Sequence, residues 1–257
     1  MIGEIPHIRN KKMWEILKNI VLAIYDAGLT DIVYYAFHVA AFISVFLMAQ
    51  WLGRKVGISG KKSFLLVLMI YPLMYAWMLI YFWMESGFKT FGGQHIVCIF
   101  VYAPLLAYVV AKILKIGYKE MCFIIAPLFP LNHAIGHLGC FFAGCCRGYE
   151  ADWGFYHPVQ KIFYYPIQPI ESIVAALIVV ALVLIAKKKN YYPHPSFYPL
   201  MLIMFGVTRF ILEFFRDNEK ILLGCSSLSF HALFMALVGG VAMIVIFAKK
   251  RKNSKST

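Results

Sequence analysis

The stretch YPIQPIESIVAALIVVALVLIAKKK, residues 165–189, runs without a charge from Ser172 to Ala186 and closes on three lysines. Pro166 and Pro169 suit the start of a helix, where a missing backbone donor costs least. Glu171 is then expected in the first turn, where the helix dipole favours a carboxylate, with Gln168 as a neighbour of the cap. A helix needs roughly 20 mostly apolar residues to cross a hydrocarbon core about 30 Å thick. This segment has the length, the composition and the charged stop of a membrane span.

The rest of the chain repeats the pattern. Of its 257 residues 61% are hydrophobic and 14% charged, and its mean hydropathy is +0.73. A soluble domain is about 45–50% apolar, so a water-soluble fold is excluded. Seven spans are expected, near residues 31–53, 63–84, 94–114, 120–142, 168–186, 196–216 and 228–248. The fold class is therefore an all-α polytopic membrane protein. No internal repeat or linker divides it, and a single membrane domain over 1–257 is the economical reading.

Basic residues set the expected orientation. Arg54, Lys55, Lys61 and Lys62 share one loop; Lys112, Lys115 and Lys119 share another. Lys187 to Lys189 form a third group, and Lys249, Lys250, Arg251, Lys252 and Lys255 a tail over 249–257. Seven crossings put all of these on one side, which the positive-inside rule makes cytoplasmic, so the N-terminus is expected outside. The net charge of +13 is then explained by topology and anionic lipid, and no nucleic-acid partner is expected. Within residues 1–30, Met13 to Leu29 carries Glu15, Lys18 and Asp26 among apolar residues, which suits a helix lying in the interface. No cleaved signal peptide is read there.

Ionisable groups at membrane depth cost several kcal/mol unless they face partners or water, so they mark candidate sites. In FGVTRFILEFFRDN (205–218), Arg209 and Glu213 share a helical face, with Arg216 near the exit. They read either as a structural ion pair or as a pocket for an anionic head group. Tyr35 and His38 lie one turn apart on the first span, His95 opens the third and His231 the last. In PLNHAIGHLGC (130–140), His133 and His137 share a face leading to Cys140. The segment continues to Cys145, Cys146 and Arg147. Its H-x3-H-x2-C-x4-C-C spacing leaves several readings open. They are a disulfide of Cys140 with Cys145 or Cys146, a link from either of these to Cys225, plain packing, a redox thiol, and nitrogen and sulfur ligands for zinc or copper. Zinc sites mostly draw on two separated ligand pairs, so no metal is expected here.

Taken in order, FGG (91–93), GHLGCFFAGCCRG (136–148), YPIQPIE (165–171) and FGVTRFILEFFRD (205–217) resemble the prolipoprotein diacylglyceryl transferase family, over nearly the whole chain from about Tyr35. The most specific piece is Gly206, Arg209, Phe210, Glu213, Phe214 and Arg216. The resemblance implies a multi-pass enzyme of the bacterial plasma membrane. It would move the diacylglyceryl group of phosphatidylglycerol to the lipobox cysteine of a prolipoprotein signal peptide, releasing glycerol phosphate, with membrane lipids around it and no cofactor. Carried onto this chain, the catalytic set is Arg209, Glu213, His137 and Tyr35. The substrate-binding set is Gly92, Gly93, Gly136, Gly139, Cys140, Gly144, Cys145, Gln168, Glu171, Gly206 and Arg216. The chain departs from the family pattern at several positions. His137 stands for an Arg, Cys140 for an Asn, Cys145 for a Glu, Phe91 for a His, and Tyr165-Pro166 for a His-Pro pair. Two other classes are compatible with the residues. One is a membrane thiol-disulfide oxidoreductase using Cys140, Cys145 and Cys146; the other is a non-catalytic lipid-binding protein.

Overall fold

Backbone groups inside a membrane have no water to bond with, so a spanning segment satisfies them internally as a helix. The computed structural model describes residues 11–89 and 96–253. Its helices are α1 (Lys11–Asp26), α2 (Thr30–Lys55), α3 (Gly60–Glu85), α4 (Ile96–Leu114), α5 (Tyr118–Ile125), α6 (Leu128–Ala143), α7 (Ile167–Lys188), α8 (Phe197–Glu213) and α9 (Ser227–Asn253). Local signals set several boundaries. The Ser59 side chain accepts from the Lys62 backbone N–H and caps α3. Gly144 closes α6 in the left-handed region at φ 69°.

The chain forms an all-α polytopic membrane protein. Among the described residues five helices are long and apolar enough to cross a bilayer: Thr30–Lys55, Gly60–Met84, Tyr118–Ala143, Ile167–Lys188 and Ser227–Lys252. Of the other two expected spans, α4 is a helix of 19 residues, Ile96–Leu114, and α8 is shorter: at about 1.5 Å per residue its 17 residues reach roughly 25 Å. The expected fourth span is divided between α5 and α6 at Ala126 and Pro127, where proline lacks the N–H that a continuous helix uses.

That divided span is the centre of the bundle. Some 78% of its apolar window is buried within the protein, against 17% for α2 and for α9, which turn most of their side chains to lipid. Apolar burial gives little drive between helices in lipid, so close packing of small residues takes its place. Gly206 shows this between α8 and α9, where an added Cβ would lie 2.7 Å from the Ala236 nitrogen and 2.8 Å from the Ala232 oxygen. Gly139 does the same between α6 and α2, with Phe37 Cβ and the Tyr34 oxygen 3.0 and 3.1 Å from the would-be Cβ.

Between α6 and α7 the chain forms a small antiparallel sheet. Strands β1 (Glu150–Ala151), β2 (Phe155–His157) and β3 (Ile162–Tyr164) lie in the order β1-β3-β2. Phe155 and Tyr164 from the sheet join Phe141 and Val21 in a second apolar cluster, with Trp14 and Leu17 of α1 against it. Met13, Ile16 and Ile20 of α1 stay exposed.

Replacing Gly206 with Leu is expected to force α8 and α9 apart and cost about 1–3 kcal/mol. Thermal unfolding in detergent measures the loss. Gly240, whose would-be Cβ meets nothing within 4 Å, is the control, and Gly240→Ala should unfold at or slightly above the wild-type temperature.

Candidate functional site

Glu171 lies past the first turn of α7, which begins at Ile167, so the helix dipole does not account for it as the sequence reading supposed. Its partners account for it instead. The carboxylate is 2% exposed and four basic side chains converge on it. Arg209 of α8 donates to Oε1. Arg216, just beyond α8, grips both oxygens, with Nε 3.0 Å from Oε1 and Nη2 2.6 Å from Oε2. On the α6 side His137 Nδ1 is 2.9 Å and His133 Nε2 3.5 Å from Oε2. An isolated carboxylate at this depth would be costly; two guanidiniums in fixed geometry offset that cost.

Glu213 forms the second layer and is fully buried. Its Oε2 is 2.8 Å from Arg209 Nη2, while its Oε1 accepts from Ser226 Oγ at 2.8 Å and from Asn218. Arg209 is thus held between two carboxylates, and the expected Arg209–Glu213 pair is one edge of a larger network. Backbone contacts position Arg216. Gly148 forms an antiparallel bridge with it, Tyr149 donates to the Phe215 oxygen at 3.3 Å, and Tyr165 stacks on Phe215 with ring centroids 5.6 Å apart. A Cβ on Gly148 would meet the Tyr165 and Phe215 oxygens at 2.6 and 2.8 Å.

The cysteine loop adjoins this network. Gln168, fully buried, donates to the Cys145 oxygen at 2.7 Å and ties the loop to α7. Cys140, Cys145 and Cys146 are free thiols, as are Cys122 and Cys225, so the disulfide reading finds no bond among the described residues. Hydrogen bonds from Cys140 and Cys145, reinforced by Arg216 and His137, hold the Cys146 thiol below its ordinary range.

The residues singled out from sequence separate into groups. Arg209, Glu213, His137, Glu171 and Arg216 meet in one cluster, and Gln168, Cys140 and Cys145 lie along its edge. Tyr35 is 64% exposed on the flank of α2. Its neighbour Tyr34 feels the three thiols instead, and helical rotation by one residue explains the exchange. Gly136, Gly139 and Gly206 serve helix packing, with His38 closest to the would-be Cβ of Gly136, and Gly144 is a helix cap. Gly92, Gly93, Phe91 and His95 lie outside the described residues. His133 was visible in the H-x3-H spacing, but its contact with Glu171 required the fold. Ser226 and Asn218 carried no signal.

The architecture is that of an integral membrane protein with a buried network of arginine, histidine and carboxylate at the bundle end remote from the lysine-rich helix ends. The pattern of the prolipoprotein diacylglyceryl transferase family matches residues 21–248, and the chain belongs to that family. It is similar to the phosphatidylglycerol--prolipoprotein diacylglyceryl transferase of Clostridium novyi, at 26% identity over 183 residues, 67% of this chain and 66% of that protein. It is similar to the enzyme of that name from Geobacter sulfurreducens at 28% over 174 residues, 65% of this chain and 64% of the relative. With the Clostridium perfringens protein carrying that name and the number 2 it shares 28% over 151 residues, 56% and 57% of the two chains. The matched region spans a little under two thirds of the first two relatives' length.

Glu171→Gln keeps the shape and removes the charge, which leaves Arg209 and Arg216 with Glu213 as their remaining carboxylate in this network. The expected loss is about 3–5 kcal/mol, read as a lowered unfolding temperature of the purified protein in detergent.

Proposed function

We propose that this chain transfers the diacylglyceryl group of phosphatidylglycerol to the lipobox cysteine thiol of a prolipoprotein signal peptide in the bacterial plasma membrane. The observation that carries the reading is the pairing of Arg209 and Arg216 on Glu171, with His137 2.9 Å from the same carboxylate. The names of the relatives supply the substrate pair. In this reading α4 and α8 complete a seven-crossing topology with the N-terminus outside, and α1 lies in the interface. The cluster then sits near the outer leaflet, where a precursor emerging from the cell would meet it.

The chemistry is an alkyl transfer. The acceptor sulfur forms a bond to the terminal glyceryl carbon of the diacylglyceryl group as the bond from that carbon to the phosphate oxygen breaks. Glycerol phosphate leaves with the electron pair. The guanidiniums of Arg209 and Arg216 bind the phosphate and offset charge growing on the leaving oxygen. Glu171 and Glu213 hold those guanidiniums in place before the lipid arrives, so little reorganisation is needed during reaction. His137 is placed to take the thiol proton. Tyr35 would donate a hydrogen bond to the head group only after a rotation of α2 or of its side chain.

Mass spectrometry of a synthetic lipobox peptide incubated with the purified protein and phosphatidylglycerol tests the activity. Wild type should add one diacylglyceryl mass. Arg209→Ala should lose about 10²–10³ in rate, while Arg209→Lys, run beside it, should retain more of both rate and unfolding temperature. Bound phosphatidylglycerol with no product would instead mean a lipid-binding protein. Loss of a thiol-exchange activity on thiol blocking, again without product, would favour the oxidoreductase. Topology is checked separately. Phosphatase fused after Asp217 should be active, and fused after Lys189 or at the C-terminus inactive.

A further inference from the structure

Two clusters of metal-ligating side chains occur side by side among the described residues, and only one has free donors. His133, His137 and Glu171 have ligand atoms within 4.8 Å of one another, but both Glu171 oxygens are already engaged by guanidiniums, which also repel a cation. His137, Cys140 and Cys146 have ligand atoms equally close, and among the described residues no guanidinium donates a hydrogen bond to their sulfurs. The Cys145 thiol completes this second set: it interacts with the thiols of Cys140 and Cys146 and points at the Cys140 oxygen at 3.7 Å.

We propose that His137, Cys140, Cys145 and Cys146 form a binding site for a thiophilic d10 cation, Zn2+ or Cu+. Tetrahedral ligands at the bond lengths typical of zinc lie about 3.8 Å apart. The three donors within 4.8 Å therefore close on an ion with movements of about 1 Å. Three sulfurs and an imidazole select soft cations and disfavour Mg2+ and Ca2+.

The loop is held in the shape that such a site requires. Gly144 turns the chain back at the end of α6 in the left-handed region. Cys146 itself adopts φ 57°, a conformation that side chains other than glycine seldom take. Gln168 fixes the carbonyl of Cys145 and the Gly148 bridge fixes the far side. Glu171 at His137 Nδ1 is the kind of carboxylate partner that orients a metal-ligating imidazole. Cys145 and Cys146 are exposed, so the ion can reach the site from solvent. Each thiol that ligates loses its proton to solvent, so uptake releases protons without any oxidation. A disulfide would use two of the three sulfurs; a metal uses all of them. The site goes beyond the transferase reading and shares His137 with it: an imidazole that ligates the ion does not take the thiol proton, so the base role belongs to the metal-free protein.

The test uses the full-length protein, purified reduced in detergent and stripped with chelator. Zn2+ is titrated against a chromophoric chelator and Cu+ against a copper(I)-specific one, and Co2+ is added as an optical probe. One equivalent of Zn2+ or Cu+ should bind with sub-micromolar affinity, the stronger arm naming the ion. Co2+ should give tetrahedral d–d bands with a sulfur-to-cobalt charge-transfer band, and protons should be released. Cys146→Ser, at the surface, should weaken binding by more than the 10–100-fold that loss of an outer partner costs, and so should Cys140→Ser. Cys225→Ser should bind as wild type. A reduced protein that takes up neither ion stoichiometrically would overturn the proposal. So would a Cys140/Cys146 double serine variant that binds as tightly as wild type, or a disulfide among these residues in protein that stays metal-free when supplied with both ions.

Discussion

One carboxylate organises the functional end of this protein. Glu171 is buried on an apolar helix and is tolerated there because Arg209 and Arg216 reach it from α8 and the chain beyond, and His133 and His137 from α6. Each of these charges would be costly alone in a low-dielectric interior, so the members of the network depend on one another. The arrangement also ties together three helices that apolar packing could not align so specifically, because lipid competes equally for their side chains.

Small residues let that network form. Gly139 brings α6 against α2 and Gly206 brings α8 against α9, each at distances a Cβ would prevent. Gly148 lets the segment after α6 bridge to Arg216. Gly139 and Gly206, which the family resemblance assigns to the substrate, also set where the helices stand. Charge supplies the chemistry of the site, and close backbone approach supplies its geometry.

The cysteine loop sits where these two influences meet. It is pinned by Gln168 on one side and by the Gly148 bridge on the other, and its thiols face His137 and Arg216. A wall of the charged cluster is thus made of soft donors. Arginines and glutamates stand on α7, on α8 and just beyond it, and the thiols stand on the loop after α6.

Composition and periodicity alone determined the membrane class, the helical fold and the approximate helix positions, because transfer of long apolar runs into lipid is a local property of each segment. Arg209, Glu213, Glu171 and His137 were also visible as candidates, since ionisable groups inside apolar runs stand out without a structure. Only the tertiary structure decided who pairs with whom. Glu171 and Arg216 are 45 positions apart in the chain and meet through bundle packing; no local pattern encodes such a contact. The same holds for Tyr34 facing the thiols while Tyr35 faces outward, and for the divided fourth helix. A one-residue rotation or a proline break changes little in hydropathy yet redirects side chains by a large angle, and that direction is set by the neighbouring helices.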